Sequence, residues 1–149
     1  MTSLENIPVK YADLISEIET GQVKIPQFQR KFVWGVKASA KLLDSIIKGY
    51  PIGTFIYWRT NERLRAVRNL GNINLPDPKE GEYVNYVLDG QQRLTSLFAT
   101  LKGVHITDED GKVADYSAMY VDLMAPEDGE IIITDISKKE EHTFIKLTD

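Results

Sequence analysis

The residue types best suited to chemistry stand where a β-rich run meets a helical pattern. The apolar stretch 83–88 leads at once into five residues: Asp89, Gly90, Gln91, Gln92 and Arg93. A strand that turns into a helix at a glycine leaves backbone N–H groups pointing outward, and these suit an anion. Arg93 adds a permanent positive charge whose planar donors match phosphate. We therefore expect the chemistry of this chain at the junction.

Several roles are open to the polar side chains of the junction. Asp89 could cap the helix, hold a metal ion directly or through water, or position a water for attack on a phosphoryl group. Gln91 and Gln92 are poor core residues, and on a helical wheel Gln91 and Arg93 flank the apolar stripe while Gln92 points away. The chain has no Walker-type glycine loop, so nucleotide chemistry here needs a different architecture.

A second informative stretch runs from Pro26 to Trp34. If it is extended, Phe28, Arg30, Phe32 and Trp34 share one side. Arg30 would then lie among aromatic side chains, with its stem packed and its head directed at a partner. It either meets a phosphate or carboxylate, or makes a structural cation–π contact or ion pair.

Charge is distributed unevenly along the chain. Residues 1–70 hold 11 Lys and Arg against 6 Asp and Glu, whereas residues 71–149 hold 7 against 16, within a net charge of −4. Four of the basic residues follow one another closely: Arg59, Arg63, Arg65 and Arg68. They could meet nucleic acid or nucleotide phosphate, or form a solvated face.

The hydrophobic pattern predicts the helices and strands that carry the candidate site residues. Apolar residues at helical spacing predict helices at Val9–Thr20, Val36–Lys48 and Gln91–Lys102. Strands are predicted at 54–58 and at 83–88, the latter central in a sheet because it is apolar almost throughout. Further strands are predicted at 119–123, 130–136 and 143–147, the first two as a hairpin. Asp44, in the second helix, is expected at a solvated surface or orienting an arginine.

Length and composition fit a single globular domain over residues 1–149 with a real core. The absence of cysteine excludes disulfides and cysteine-based zinc sites, and only His105 and His142 could offer imidazole. No apolar run is long enough for a signal peptide or a membrane span, so we predict a cytoplasmic protein without a membrane partner. The chain ends without a terminal helix, which favours an N-terminal fragment of a longer protein.

Three motifs occur in the order of a known family: residues 25–34 (IPQFQRKFVW), 43–53 (LDSIIKGYPIG) and 87–95 (VLDGQQRLT). With them the chain resembles the N-terminal domain of GmrSD-type modification-dependent restriction systems, a DGQQR-motif family of the ParB/sulfiredoxin-like superfamily. The resemblance spans roughly residues 4–102. It implies an α/β (α+β) fold, in which a small mixed ParB/sulfiredoxin-like sheet with packed helices is followed by a β-rich C-terminal segment.

The resemblance also implies a function. Such domains bind nucleotides, and some hydrolyse NTPs, in systems that sense or cleave foreign or modified DNA. The implied catalytic residues are Asp89, Gln91, Gln92 and Arg93. The implied nucleotide-binding residues are Gln29, Arg30, Gly90, Arg93 and Thr95. The expected cofactors are an NTP of unspecified base and Mg²⁺, with Asp89 as the metal ligand.

The leading hypothesis is therefore a nucleotide-binding, NTP-hydrolysing domain that regulates a DNA-targeting restriction or phage-defence protein. The expected partners are the nucleotide, DNA reached through the full-length protein, and a C-terminal HNH-type nuclease domain that these residues do not encode. One alternative is a DNA-binding or ParB-like nuclease module without nucleotide dependence. The other is an inactive interaction scaffold in which Asp89 and Arg93 pair internally.

Overall fold

The structure is a computed structural model that describes residues 8–29, 32–108 and 110–149, and the backbone alone of residue 72. The helices are α1 (Tyr11–Glu19), α2 (Val36–Ile47) and α3 (Gln91–Lys102). The first four strands are β1 (Val23–Pro26), β2 (Ile56–Thr60), β3 (Val67–Arg68) and β4 (Val84–Asp89). The later strands are β5 (His105–Thr107), β6 (Val113–Asp115), β7 (Tyr120–Asp122), β8 (Ile132–Ile133) and β9 (Phe144–Lys146). Short 3₁₀ turns lie at Leu70–Asn72 and Glu141–Thr143.

A four-stranded mixed sheet in the order β2-β4-β1-β3 lies at the centre of the fold. β4 pairs in parallel with β1 and antiparallel with β2, while β3 pairs antiparallel with β1. Val84, Tyr86 and Val87 of β4 are buried. The predicted α+β class and the central position of residues 83–88 are therefore confirmed. Because β4 leads directly into α3, the sheet fixes where that helix begins.

Two apolar clusters fix the helices. One joins α1, β1, β4 and α3 through eight buried residues: Leu14, Ile18, Val23, Ile25, Leu70, Val87, Leu94 and Phe98. The other packs α2 and α3 against the C-terminal strands through Ala40, Leu43, Ala99, Tyr116, Met119 and Ile132. All three predicted helices are present, and α3 has the predicted bounds. No helix in the described ranges is both long and apolar enough to cross a bilayer.

The C-terminal segment is β-rich, as the resemblance implies. β5 and β6 form an antiparallel hairpin, and β7 lies between β8 and β9 in a separate three-stranded sheet. The predicted pairing of 119–123 with 130–136 is confirmed, although β8 is only two residues long. The sequence pattern does not predict β3 or the β5–β6 hairpin.

Asp44 overturns one expectation. Its side chain is buried, and the carboxylate accepts the backbone N–H of Ile131 at 2.6 Å and of Ile132 at 3.1 Å. It also pairs with the Lys48 ammonium at 2.7 Å. Asp44 is therefore not a solvated surface residue. It attaches the C-terminal strands to α2.

Candidate functional site

The junction between β4 and α3 turns on Gly90. This residue is the N-cap of α3 and adopts a left-handed conformation with φ +96°, which side chains other than glycine rarely tolerate. A Cβ atom there would also lie 2.5 Å from Cδ1 of Phe55. Both the backbone conformation and the space beside it therefore require glycine where the helix begins.

No side-chain cap closes the N-terminus of α3 at Gly90. The first described helical hydrogen bond runs from the N–H of Leu94 to the carbonyl of Gly90 at 2.9 Å. The capping role considered for Asp89 is thus not found among the described residues. Asp89 ends β4 opposite Ile56, and its carboxylate is 65% exposed. The positive end of the α3 dipole therefore has no side-chain cap at Gly90.

Arg93 is anchored to the loop before β2. Its Nη1 donates to the carbonyl of Ile52 at 2.6 Å, and its Nη2 donates to the carbonyl of Thr54 at 3.0 Å. Nη2 also lies 3.7 Å from the Asp89 carboxylate, and the guanidinium carbon lies 5.1 Å from the centre of the Phe55 ring. The positive charge is consequently held at a fixed place beside the junction.

Two glutamines join neighbouring segments to the junction. The side-chain carbonyl of Gln92 accepts the backbone N–H of Val33 at 2.9 Å and of Trp34 at 3.3 Å. The amide of Gln29 donates to the carbonyls of Val87 and Leu88 at the end of β4. Together with the Arg93 contacts to Ile52 and Thr54, these bonds bring three stretches that are remote in sequence to the place where β4 becomes α3.

Gln91 differs from both of these glutamines. Only 6% of the residue is exposed, yet its side chain has no hydrogen-bond partner among the described residues. Its polar atoms are also not fully enclosed, since it lines a cleft at the junction. Water in the cleft can pair with such an amide, and a ligand can take the place of that water. Gln91 is thus suited to hydrogen-bond a ligand.

The cleft has a volume of about 460 Å³. This lies within the range of roughly 300–1,000 Å³ that is usual for small-molecule sites. Its lining comprises Gln29, Trp34, Leu88, Asp89, Gly90, Gln91, Gln92 and Arg93. The lining thus contains six of the eight residues that the resemblance implies for catalysis and nucleotide binding.

One expected site residue is not described, and another is absent from the cleft lining. Arg30 lies outside the described residues. Thr95 is fully buried, its hydroxyl has no partner among the described residues, and it is not part of the cleft lining. Leu88 and Trp34 line the cleft although sequence reasoning did not assign them to the site. The extended conformation considered for residues 26–34 is wrong at residues 26–29, which form a turn closed by the hydrogen bond from the N–H of Gln29 to the carbonyl of Pro26 at 3.2 Å, so period-2 alternation does not identify Trp34.

The arginine group is largely engaged within the chain. Arg59 donates to Asn85 and lies over the Tyr83 ring at 4.1 Å. Arg63 donates to the main-chain carbonyls of Asn61, Lys79 and Glu82, the last at 2.6 Å. Arg68 donates to the carbonyl of Gln29. Arg65 is exposed.

No group of three or more His, Cys, Asp or Glu side chains suited to a metal ion occurs among the described residues. Asp89 is an exposed carboxylate in the cleft lining. A cation at this place would need most of its oxygen ligands from a ligand or from water, which is the usual environment of Mg²⁺ bound with phosphates.

Comparison with known proteins agrees with the family resemblance. A family model described as the GmrSD restriction endonuclease N-terminal domain matches residues 11–149. An uncharacterized protein of Methanocaldococcus jannaschii is 38% identical over 95 residues, which are 58% of this chain and 16% of that relative. The aligned part is thus a small share of the relative's length. The family match covers nearly the whole chain and confirms the resemblance, so the protein belongs to the family of GmrSD restriction endonuclease N-terminal domains.

Proposed function

We propose that the cleft binds the phosphates of a nucleoside triphosphate and that the domain hydrolyses it to regulate a DNA-targeting restriction protein. The observation that carries the proposal is the buried Gln91 amide, which lines the cleft without a described partner. It stands at the start of a helix whose N-terminus has no side-chain cap at Gly90. An anion with several acceptor oxygens satisfies both features.

The neighbouring residues fit the same ligand. Gly90 lines the cleft, and the space beside its Cα is occupied by the Phe55 ring and the Arg93 guanidinium. The Arg93 guanidinium is fixed beside the cleft by Ile52 and Thr54, and supplies positive charge without the entropy cost of ordering its side chain. Asp89, exposed in the lining, would hold Mg²⁺ together with phosphate oxygens and water.

For hydrolysis, a water oxygen attacks the γ-phosphorus while the bond from that phosphorus to the β,γ-bridging oxygen breaks. The products are a nucleoside diphosphate and inorganic phosphate, and one proton is released to solvent. The Gln91 amide is the group that can orient the water or bind a γ-phosphate oxygen. Mg²⁺, when bound, neutralises charge that develops on the phosphates.

The scaffold alternative is less well supported. It requires an internally satisfied Asp89–Arg93 pair without a cleft beside it. The pair is present at 3.7 Å, but the Asp89 carboxylate is 65% exposed and the cleft of about 460 Å³ adjoins it. The DNA-binding alternative depends on arginines, and three of the four have described contacts within the chain.

The test is calorimetric titration of the whole chain with each of the four NTPs in the presence of Mg²⁺, with phosphate release measured in parallel. Gln91→Leu is expected to weaken binding about tenfold or more, because a buried hydrogen bond to a charged oxygen is lost. Gln22→Leu makes the same change outside the cleft and is expected to bind within about twofold of wild type.

Circular dichroism establishes that each variant is folded. If wild type binds no nucleotide with Mg²⁺, the proposal is wrong. If it binds nucleotide without releasing phosphate, binding stands and hydrolysis is rejected.

A further inference from the structure

The lining of the cleft contains one aromatic residue among those described, Trp34. Leu88, which is 46% exposed, adds the other large apolar side chain. The remaining lining residues are polar, charged or glycine. The cleft therefore combines a surface suited to phosphate with a surface suited to a flat apolar group.

The main chain of Trp34 is fixed on both sides. Its N–H donates to the Gln92 side chain at 3.3 Å, next to the 2.9 Å bond from the N–H of Val33. Its carbonyl accepts the hydroxyl of Tyr116 at 2.7 Å. Tyr116 is almost fully buried, and burial raises the pKa of its hydroxyl, which keeps it protonated as a donor. Trp34 is thus held in place by α3 and by the C-terminal half of the chain.

The two tryptophans of the chain have different surroundings. The Trp58 ring packs against Tyr86 with ring centres 5.7 Å apart. The half-buried Trp34 ring has no aromatic or cationic partner among the described residues. A large aromatic residue anchored beside a cleft, without an intramolecular stacking partner, is suited to accept a planar group from a ligand.

We infer that Trp34 is the base-stacking residue of the cleft, so that the ligand is recognised as a nucleotide and not as a phosphate chain alone. The inference rests on the proposed nucleotide function. Stacking tolerates all four bases because each has a π-face. Trp34 therefore adds affinity for every nucleotide without selecting one base.

The experiment compares UTP, ATP and inorganic tripolyphosphate, each with Mg²⁺, by calorimetry. Wild type is expected to bind both nucleotides more tightly than tripolyphosphate. Trp34→Ala is expected to lose about 5- to 150-fold in nucleotide affinity, which is the range for loss of one base–aromatic stack, with tripolyphosphate affinity unchanged. Trp34→Phe retains a ring and is expected to keep much of the affinity. Trp58→Phe is the control and is expected to resemble wild type.

Fluorescence gives a second readout. In Trp58→Phe the only tryptophan is Trp34, so nucleotides are expected to quench its emission and tripolyphosphate is not. Equal losses of nucleotide and tripolyphosphate affinity in Trp34→Ala, or no loss at all, would overturn the inference. If wild type binds nucleotides and tripolyphosphate equally, the phosphate site stands and base stacking is rejected. If wild type binds none of the three ligands, the proposed function itself fails.

Discussion

The guanidinium of Arg93 donates a hydrogen bond of 2.6 Å to the main-chain carbonyl of Ile52. The same side chain reaches Thr54 and lies beside Asp89. Arg93 therefore has a structural task, which is to hold the loop before β2 against the start of α3. The loop therefore fixes the position of the Arg93 charge before any ligand binds.

Arg93→Ala is expected to lower the free energy of unfolding by about 1–3 kcal/mol, because the carbonyls of Ile52 and Thr54 lose a charged donor. Nucleotide affinity is expected to fall as well. Arg93→Lys keeps the charge but cannot match two carbonyls with a planar fork, so its stability should be intermediate. Urea denaturation measures the change in the free energy of unfolding. Calorimetric titration measures the change in nucleotide affinity. An Arg93→Ala variant as stable as wild type would show that these contacts do not hold the loop.

The stability cost of the close approach between Gly90 and Phe55 can be measured separately from the cost of a left-handed backbone. Gly90 has φ +96° and Gly81 has φ +85°, but a Cβ added at Gly81 meets nothing within 4 Å. Both Gly→Ala changes carry the cost of a left-handed backbone, about 1 kcal/mol. Gly90→Ala is expected to cost about 1–3 kcal/mol more, since it must displace a ring. Thermal denaturation of the two variants provides the comparison, and equal losses would contradict the steric argument.

The attachment of the C-terminal strands by Asp44 is expected to depend on pH. Burial by itself raises the pKa of Asp44, but hydrogen bonds from Lys48, Ile132 and Ile131 outweigh burial and hold the pKa below the usual 3.8. The unfolded chain therefore takes up this proton at a higher pH than the folded chain. The stabilisation is complete above the unfolded pKa and is lost as pH falls through the lowered folded pKa.

Asp44→Asn is accordingly expected to lower the free energy of unfolding at neutral pH by about 1–3 kcal/mol, through weaker hydrogen bonds at a buried position. It should also reduce the loss of stability between about pH 5 and pH 2. Urea denaturation at several pH values tests both effects. Asp128→Asn, at an exposed turn, is the control. The explanation fails if the Asp44 variant keeps the pH dependence of wild type.

Substitutions of Arg63 and Arg65 test the DNA-binding alternative, because they separate an effect on DNA binding from an effect on stability. Arg63 contacts three main-chain carbonyls, so Arg63→Ala is expected to cost about 0.5–1.5 kcal/mol. Exposed Arg65 should change stability by less than about 0.5 kcal/mol when replaced by alanine. If the domain contacts DNA here, Arg65→Ala weakens binding and reduces its salt dependence at unchanged stability. Binding assays at several salt concentrations decide this.

The parts of the fold that sequence predicts best are those with strong local signals. The helix α3 has the predicted bounds because Gly90 and Gly103, both with positive φ, flank an amphipathic run. The strand β3 is only two residues long, and its pairing is set by β1 rather than by its own composition. Short strands of this kind carry little periodic signal.

In the candidate site, too, some features have a strong local sequence signal and others have none. The Asp-Gly-Gln-Gln-Arg motif marks the cleft because its polar residues interrupt an apolar strand and helix. The long-range partners of Arg93 and Asp44 are main-chain groups, which nearly every residue type offers, so no sequence pattern points to Ile52 or Ile131. Asp89 illustrates the limit of local rules, since an N-terminal aspartate is a common cap but Gly90 occupies that position here.

The contact between Val33 and Gln92 spans 59 residues, and it forms beside the parallel pairing of β1 with β4. Closing such a loop costs chain entropy before its contacts stabilise the fold, so this pairing is expected late in folding. We therefore expect the cleft to be completed only when this long-range pairing has formed. A ligand that binds only the completed cleft is expected to slow unfolding more than it accelerates refolding. Binding thus distinguishes the completed domain from a partly folded chain.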